Sequence, residues 1–398
     1  MINKFNRLKE EVKSELVQHI LPFWTDKMVD NVHGGFYGRI TGMDELVPEA
    51  PKGAILNARI LWTFSSVALH LDYERYQPFA LRAKDYIIDH FFDAEKGGTY
   101  WMLNADGTPI DTKKQIYSQA FTIYALVEYY RLTSDKLCLD KAIELFQLVE
   151  KYSFDNKKNG YFEAFDRDWN LLEDLRLSKK DANEKKTMNT HLHLLEAYTN
   201  LYRVYKDATL GKQLKNLIEL FLNKIVNAKT NHLDLFFDEN WICKSTIVSY
   251  GHNIEASWLL EEAAQVYGNQ DILNRVRDAS KLIAEATLEG VQSDGSIINE
   301  KDYTTGHIDS NRDWWPQAEA IVGFYNAWTL TKNDLFGKTV LANWNFIKKY
   351  LLDNVNGEWF WAVSSSGVID RTNDKAGFWK CPYHNSRMCL ELIERINT

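Results

Sequence analysis

A short aromatic segment recurs along the 398-residue chain, and two helix-length stretches separate each copy from the next. Gly34, Gly97 and Gly160 are each 63 residues apart, whereas the corresponding Trp169 and Trp241 are 72 apart, so one unit carries an insertion. The six segments begin at Gly34, Gly97, Asn159, Leu233, Asp294 and Asn356. Such a period predicts stacked copies of one supersecondary unit, because a single helical pair cannot bury its apolar face alone.

The stretches between these segments have the apolar spacing of amphipathic helices. Leu194, Tyr198, Leu201 and Tyr205 fall at i, i+4, i+7 and i+11, which places them on one helical face. We expect six inner helices at 54–70, 118–132, 189–205, 254–267, 317–330 and 384–396. Their outer partners are expected at 6–20, 76–91, 137–152, 212–226, 271–286 and 333–351.

The last predicted helix decides between an open and a closed arrangement of the units. An open solenoid needs terminal repeats with a polar outer face. The last helix instead carries Met388, Leu390, Leu392 and Ile393 and is as apolar as the others. We therefore predict an all-α fold, an (α/α)6 barrel with short β-hairpins or loops at one rim. Residues 1–398 are expected to form a single catalytic domain.

Composition excludes several classes of partner. The net charge of −8, without a dense basic cluster, argues against nucleic acid. No run of about 18 apolar residues suggests a membrane span, and the first residues are charged where a signal peptide needs an apolar run. The four cysteines are scattered without a CxxC pair, which indicates neither a disulfide framework nor a zinc site. We expect a cytoplasmic protein acting on a small molecule. The sequence does not specify the oligomeric state, and a monomer is compatible with it.

Polar and aromatic residues gather where the inner helices begin, and they meet if all six helices start at one rim. Asn189 and His193 are four residues apart, and His252 and Glu255 are three apart, so each pair shares a helical face. His191 lies about 200° around the helix from His193 and points elsewhere. The full set is Asn57, Arg59, Tyr117, Gln119, Asn189, His193, His252, Glu255, Trp314, Trp315, Glu319, Trp379, His384 and Arg387.

These residue types favour acid–base chemistry on a sugar. No nucleotide-binding, serine-hydrolase or zinc-protease motif occurs, so histidines acting without a metal or other cofactor are the expected catalysts. The pair Trp314 and Trp315, at a junction of loop and helix, suits stacking on sugar rings. The 13 tryptophans are consistent with a carbohydrate cleft and equally with packing.

Four stretches of the chain, 188–193, 250–256, 314–319 and 377–385, resemble the cellobiose 2-epimerases of the N-acylglucosamine 2-epimerase superfamily. The last is the most specific, because its tryptophan is followed five residues later by the histidine of Cys-Pro-Tyr-His. The resemblance covers nearly the whole chain. It implies His252 and His384 as the catalytic acid and base, with His193 and Arg59 at the reacting oxygens. Further substrate-binding positions are Tyr117, Asp181, Asn189, Glu255, Trp315, Glu319 and Trp379.

The activity implied is cofactor-independent 2-epimerisation of the reducing-end glucose of β-1,4-linked disaccharides, from cellobiose to 4-O-β-glucosyl-mannose and from lactose to epilactose. Ring opening acidifies the C2 proton, and two histidines exchange it through an enediolate whose charge Arg59 stabilises. Glu255 is expected to fix the tautomer of His252. The charged insertion at 169–188 is expected to be a lid over the cleft or a solvated loop.

Other functions remain open at this point. A mannobiose 2-epimerase, an N-acylglucosamine 2-epimerase and an aldose–ketose isomerase of the same superfamily use similar residues. An (α/α)6 glycoside hydrolase requires two carboxylates across a glycosidic bond, a role that only Glu255 and Glu319 suggest. A sugar-binding protein without catalysis leaves three histidines at matched helix starts unexplained.

Overall fold

The computed structural model describes residues 1–396, and these residues form two concentric layers of helices. The predicted domain continues to residue 398, and its last two positions lie outside the described residues. The helices are α1 (Ile2–Glu15), α2 (Leu21–Lys27), α3 (Ala54–His70), α4 (Tyr73–Tyr86), α5 (Ile116–Thr133), α6 (Lys136–Tyr152), α7 (Met188–Val204), α8 (Ala208–Leu220), α9 (Tyr250–Tyr267), α10 (Gln270–Thr287), α11 (Trp314–Thr331), α12 (Asp334–Phe346) and α13 (Tyr383–Arg395). One-turn π-helical segments follow α1, α4, α8 and α12, at Leu16–Ile20, Ile87–Phe91, Phe221–Ile225 and Ile347–Leu351.

The inner layer is a closed ring. Each of α3, α5, α7, α9, α11 and α13 contacts the next inner helix, and α13 contacts α3. On the outside, α4, α6, α8, α10 and α12 pack against the inner helices that precede them in the chain, while α1 packs against α13. The first helix is therefore the outer partner of the last, and the predicted (α/α)6 barrel is confirmed.

Burial explains why the two layers differ in sequence. The helix α3 is buried from Ala54 to Ala68 without interruption, because it faces the outer layer on one side and the barrel axis on the other. The outer helix α10 buries a single stripe that includes Ile272, Val276 and Ile283. Outer helices also begin at side chains that accept a backbone N–H bond, which favours helix initiation. These caps are Asp72, Asp135, Asp207, Asn269 and Asn333. Within residues 1–396, no helix is long and apolar enough to cross a lipid bilayer.

Short antiparallel strands tie the starts of the inner helices to one rim. They are β1 (Lys52–Gly53), β2 (Met102–Leu103), β3 (Pro109–Asp111), β4 (Lys114–Gln115), β5 (Ala164–Phe165), β6 (Lys186–Thr187), β7 (Phe236–Phe237), β8 (Ile247–Ser249), β9 (Glu300–Asp302), β10 (Ile308–Asp309), β11 (Arg312–Asp313) and β12 (Ala362–Val363). The strand before each of five inner helices pairs with the next aromatic segment, as β1–β2, β4–β5, β6–β7, β8–β9 and β11–β12. Before α13, Ala376 pairs with Ile40 and completes the circle.

Buried ion pairs between lysine and aspartate residues connect the segments of this rim. The sequence analysis did not predict them. The Nζ atom of Lys52 lies 2.7 Å from Asp30 Oδ2, and that of Lys114 lies 3.0 Å from Asp93 Oδ2. The same pairing recurs between Lys186 and Asp155 and between Lys375 and Asp353. Each lysine lies shortly before an inner helix, and each aspartate lies three or four residues before the start of an aromatic segment, so the pairs hold the helix starts in register.

Candidate active site

The first two turns of α3, α5 and α7 bring Arg59, Tyr117 and His193 together. Arg59 Nη2 donates to the Tyr117 hydroxyl at 3.0 Å, and the guanidinium lies 4.2 Å from the Phe121 ring centre. The Tyr117 ring meets the His193 ring edge-on, with 4.9 Å between centres. Arg59 also reaches Cys381 Sγ at 3.7 Å, immediately before α13. Residues up to 322 positions apart in the sequence thus share one site.

Trp315 brings the other two histidines into the same site. Its ring centre is 4.7 Å from that of His252 and 5.6 Å from that of His384. Trp379 lies shortly before α13, with its ring centre 6.1 Å from that of Tyr117. The structure therefore assembles most of the predicted residues around one point, although they come from six inner helices.

Each of the three histidines is held through its Nδ1 atom. His193 Nδ1 lies 2.9 Å from Glu196 Oε2, and His384 Nδ1 lies 2.8 Å from Glu319 Oε1. Because the Glu196 carboxylate is ionised and only accepts hydrogen bonds, the His193 ring donates from Nδ1 and keeps a lone pair on Nε2 when neutral. His252 Nδ1 instead lies 2.8 Å from the Ser249 hydroxyl. Among the residues that the structure describes, none bonds to Nε2 of these rings.

The histidines are neutral at pH 7. Burial lowers the pKa of His252 to about 3. Burial also lowers the pKa of His193, although its hydrogen bond to the Glu196 carboxylate opposes the shift. For His384, burial and then the positive charge of Arg59 lower the pKa. A neutral imidazole whose Nε2 carries a lone pair, as in His193, is ready to accept a proton.

Arg387 links three buried carboxylates beneath the histidines, and we call Arg387, Glu196, Glu255 and Glu319 the Arg387 cluster. Its guanidinium donates to Glu196, to Glu255 and, at 2.7 Å, to Glu319. Burial would raise the pKa of Glu196, but Arg387 and the bond from His193 lower it to about 2. Burial and the charge of Glu319 raise the pKa of Glu255 to about 8. At pH 7, Glu196 is ionised and Glu255 is mostly protonated.

The cluster corrects one prediction. Glu255 does not fix the tautomer of His252, because its carboxyl group binds Arg387 and the imidazole binds Ser249. The side chain of Arg387 comes from α13, and no spacing within α9 reveals it. Ligand atoms of Glu255, Glu319 and His384 lie within 4.8 Å of one another, a distance that suits a metal ion. The guanidinium, however, already donates to both carboxylates of that group.

Asp181 and Asn189 line a cavity of about 220 Å³ that extends from His252 towards the rim. The loop 169–188 forms one wall of this cavity, and Glu300 belongs to the facing wall. Asp181 Oδ2 accepts from the backbone N–H of Ser178 at 2.8 Å, which orders the loop. Asn189 Oδ1 is buried without a hydrogen-bond partner among the described residues. A buried oxygen of this kind, next to a cavity, can accept a hydrogen bond from a polar ligand.

His191 has a structural role, which agrees with the prediction that it points away from His193. Its Nε2 accepts from the backbone N–H of Tyr161 at 3.0 Å, and its Nδ1 lies 2.6 Å from the Thr187 carbonyl. Gln317 binds the backbone of Ile297 in the same way on α11. This position of the repeat clamps the preceding hairpin and does not face the site.

Sequence reasoning gave no role to Glu196, Arg387 or Ser249. A signal was present, because Glu196 follows His193 by three residues and Arg387 follows His384 by three, as Glu255 follows His252. Residues at i and i+3 share a helical face, so each histidine is followed by an ionisable group one turn further along its helix.

Comparison with known proteins agrees with this geometry. A family model described as N-acylglucosamine 2-epimerase (GlcNAc 2-epimerase) matches residues 35–387. The chain belongs to this family and is a carbohydrate epimerase, an isomerase.

Several individual relatives are cellobiose 2-epimerases. The cellobiose 2-epimerase of Bacteroides fragilis is 56% identical over 386 residues, covering 97% of this chain and 98% of that protein. That of Dictyoglomus turgidum is 42% identical and covers 98% and 99%. The solved cellobiose 2-epimerase from Bacillus thermoamylovorans superposes with a TM-score of 0.94 at 42% identity, over 98% of this chain and 100% of that one. The resemblance seen in the sequence is thus confirmed.

Proposed function

We propose that the chain converts the reducing-end glucose of β-1,4-linked disaccharides to mannose by 2-epimerisation without a cofactor. Cellobiose gives 4-O-β-glucosyl-mannose, and lactose gives epilactose. The observation that carries this proposal is the pair His252 and His384, two buried imidazoles whose rings both contact Trp315 and whose Nε2 atoms bond to no described residue. The 56% identity to a cellobiose 2-epimerase supports the substrate class.

The two imidazoles divide the proton transfers at C2. Opening of the sugar ring exposes the C1 aldehyde, and the C–H bond at C2 becomes acidic. One imidazole takes the C2 proton, and the bonding electrons move to the carbonyl oxygen to give an enediolate. The other imidazole, which has taken up a solvent proton, delivers it to the opposite face of C2. The electrons return to carbon, the aldehyde re-forms and the ring closes with inverted C2.

We assign Arg59 and His193 to binding the oxygens at C1 and C2 of the sugar. Arg59 is buried, and its guanidinium has five N–H donors. Two of the described contacts use these donors, one to Tyr117 and one to Cys381. The remaining donor capacity suits the developing oxyanion, and burial strengthens that interaction. His193 faces the same space beside Tyr117.

Trp315 and Trp379 provide aromatic faces for the sugar rings. The cavity lined by Asp181 and Asn189 extends from His252 towards the rim, so it is placed to hold the second sugar of a disaccharide. The loop 169–188 forms a wall of that cavity, and we assign it the role of a lid.

The geometry disfavours a glycoside hydrolase. Hydrolysis requires two carboxyl groups about 5–9.5 Å apart with the glycosidic bond between them. Oxygens of Glu255 and Glu319 lie within 4.8 Å, and Arg387 binds both. Both side chains are 1% exposed and lie beneath the histidines.

Product analysis tests the proposal against its relatives. The enzyme is incubated separately with cellobiose, mannobiose, lactose, N-acetylglucosamine and mannose, and the products are separated by chromatography. We expect 4-O-β-glucosyl-mannose from cellobiose and epilactose from lactose. Release of glucose, formation of a ketose alone, or turnover of N-acetylglucosamine without turnover of cellobiose would each contradict the proposal.

A further inference from the structure

Glu196 contacts a histidine of the site, yet the proposed chemistry assigns it no task. It lies on α7, one turn after His193, and is 4% exposed. Its Oε2 lies 2.9 Å from His193 Nδ1, while its Oε1 accepts from Tyr383 and Arg387. Two elements, α7 and α13, therefore hold this carboxylate behind the imidazole.

Glu196 does not line the cavity on the substrate side. It belongs to the wall of a second cavity, of about 820 Å³, whose other lining residues include His70, Arg131 and Arg203 at the far ends of α3, α5 and α7. This cavity opens at the rim opposite the one where the inner helices begin. Glu196 thus touches His193 from the side away from the sugar, and it acts on the reaction only through that ring.

The charge state of Glu196 determines what it does to His193. Arg387 holds the pKa of Glu196 at about 2, although burial opposes this, so the carboxylate is ionised over the working pH range. An ionised carboxylate has no proton to donate. His193 must then carry its proton on Nδ1, and its Nε2 presents a lone pair to the cleft.

We propose that Glu196 is a positioning residue, which fixes the Nδ1–H tautomer and the orientation of His193 so that Nε2 faces the reacting oxygens. This inference rests on the proposed function, because it assumes that His193 works at those oxygens. A carboxylate behind a catalytic imidazole has a large effect on turnover even though it never touches substrate.

The charged and titratable groups around this pair decide the direction of a pH effect. His193 is influenced by Glu196 on its own helix and by groups on four other inner helices; they are Arg59 on α3, Tyr117 on α5, His252 on α9, and His384 and Arg387 on α13. Removing the negative charge of Glu196 destabilises the imidazolium form of His193 further. The pKa of His193 falls, and any acid limb of kcat that His193 controls moves to lower pH.

The test replaces Glu196 by glutamine, which keeps the size and removes the charge. A glutamine amide either accepts from Nδ1–H or donates to Nδ1, so it no longer specifies the tautomer. We expect Glu196→Gln to lower kcat for cellobiose about 100-fold, with KM changed less than about 2-fold. The acid limb of kcat should not move to higher pH.

Glu128→Gln is the matched control. Glu128 is 2% exposed on the adjacent helix α5, and its carboxylate binds Arg131 and Asn200 at the wall of the same 820 Å³ cavity. It bonds to no histidine in the described part of the chain. We expect kcat of this variant within about 2-fold of the unchanged enzyme, because the described partners of Glu128 are Arg131 and Asn200, neither of which belongs to the site, so that its loss affects stability.

Nitrogen-15 NMR of the unaltered full-length enzyme provides a measurement that does not depend on folding of a variant. His193 should show a protonated Nδ1 and an unprotonated Nε2, and Glu196→Gln should populate both tautomers. An Nε2–H tautomer in the unaltered enzyme, or unchanged kcat and tautomer in Glu196→Gln, would overturn the proposal. An unaltered enzyme that does not epimerise cellobiose would overturn the proposed function instead, and the tautomer would still be readable.

Discussion

Replacing Arg387 by methionine removes the guanidinium that bridges Glu196, Glu255 and Glu319. Arg387 is 1% exposed and donates hydrogen bonds to all three carboxylates. Removing one partner of a buried ion pair costs about 3–5 kcal/mol, because the charges left behind are neither solvated nor compensated. Methionine fills much of the same volume, so the loss reports the charge and not a cavity.

The unfolding entropy, which scales with the length of the chain, determines how far this loss of free energy shifts the melting temperature. Unfolding entropy of about 2.1 cal/mol/K per residue gives about 0.8 kcal/mol/K for the whole chain. The melting temperature of Arg387→Met should therefore fall by about 4–6 °C at pH 8. Differential scanning fluorimetry measures this directly.

The loss of melting temperature in Arg387→Met should be larger at high pH than at low pH. Without Arg387, burial raises the folded-state pKa of the three carboxylates above 4.5, the ordinary value of Glu196 and Glu255. Such groups stabilise the fold while protonated and lose that contribution as pH rises through the folded pKa. The melting-temperature loss is therefore full at pH 8 and smaller at pH 5.

Arg203→Met is the control for this experiment. Arg203 pairs with Glu262, and its side chain is 33% exposed, so the pair is worth less than about 1 kcal/mol. Its melting temperature should stay within about 1 °C of that of the unchanged protein. A similarly small change for Arg387→Met at pH 8, or an equal loss at pH 5 and pH 8, would refute the reasoning.

The catalytic histidines give two further tests. His384→Ala should lower kcat by about 10²- to 10⁴-fold while the melting temperature changes little, and near-normal turnover would contradict its assignment as an acid or base. His252 has a pKa of about 3 because it is buried, so its NMR signals should show no titration between about pH 5 and pH 8. A transition near pH 6.5 would show that water reaches the ring and that its surroundings are wrongly described.

The sequence was sufficient to predict the ring of helices because the inner helices are long, apolar and evenly repeated. The stretch 54–70 matches α3 residue for residue. The stretch 254–267 begins four residues after the observed start of α9 at Tyr250, since that first turn contains Gly251, His252 and Asn253 and lacks an apolar period. Boundaries are therefore least visible where the functional side chains stand.

The partners of the site residues were harder to predict, because they depend on pairing between distant helices. Glu255 and Arg387 are 132 positions apart, and nothing within either helix indicates that they meet. The pairing of Lys52 with Asp30 was missed because it joins a rim strand to a loop 22 positions away, although its recurrence at Lys114 and Asp93 is visible once the fold is known. Local spacing predicts which face a side chain occupies, and only the closed ring reveals what it faces.

Deuterium incorporation tests the central claim most directly, that two histidines exchange the C2 proton with solvent through an enediolate. Cellobiose is incubated with the enzyme in deuterated water, and the product is examined by proton NMR and mass spectrometry. The account predicts 4-O-β-glucosyl-mannose that carries one deuterium at C2. Epimer formed with its C2 hydrogen fully retained would contradict proton exchange at His252 and His384.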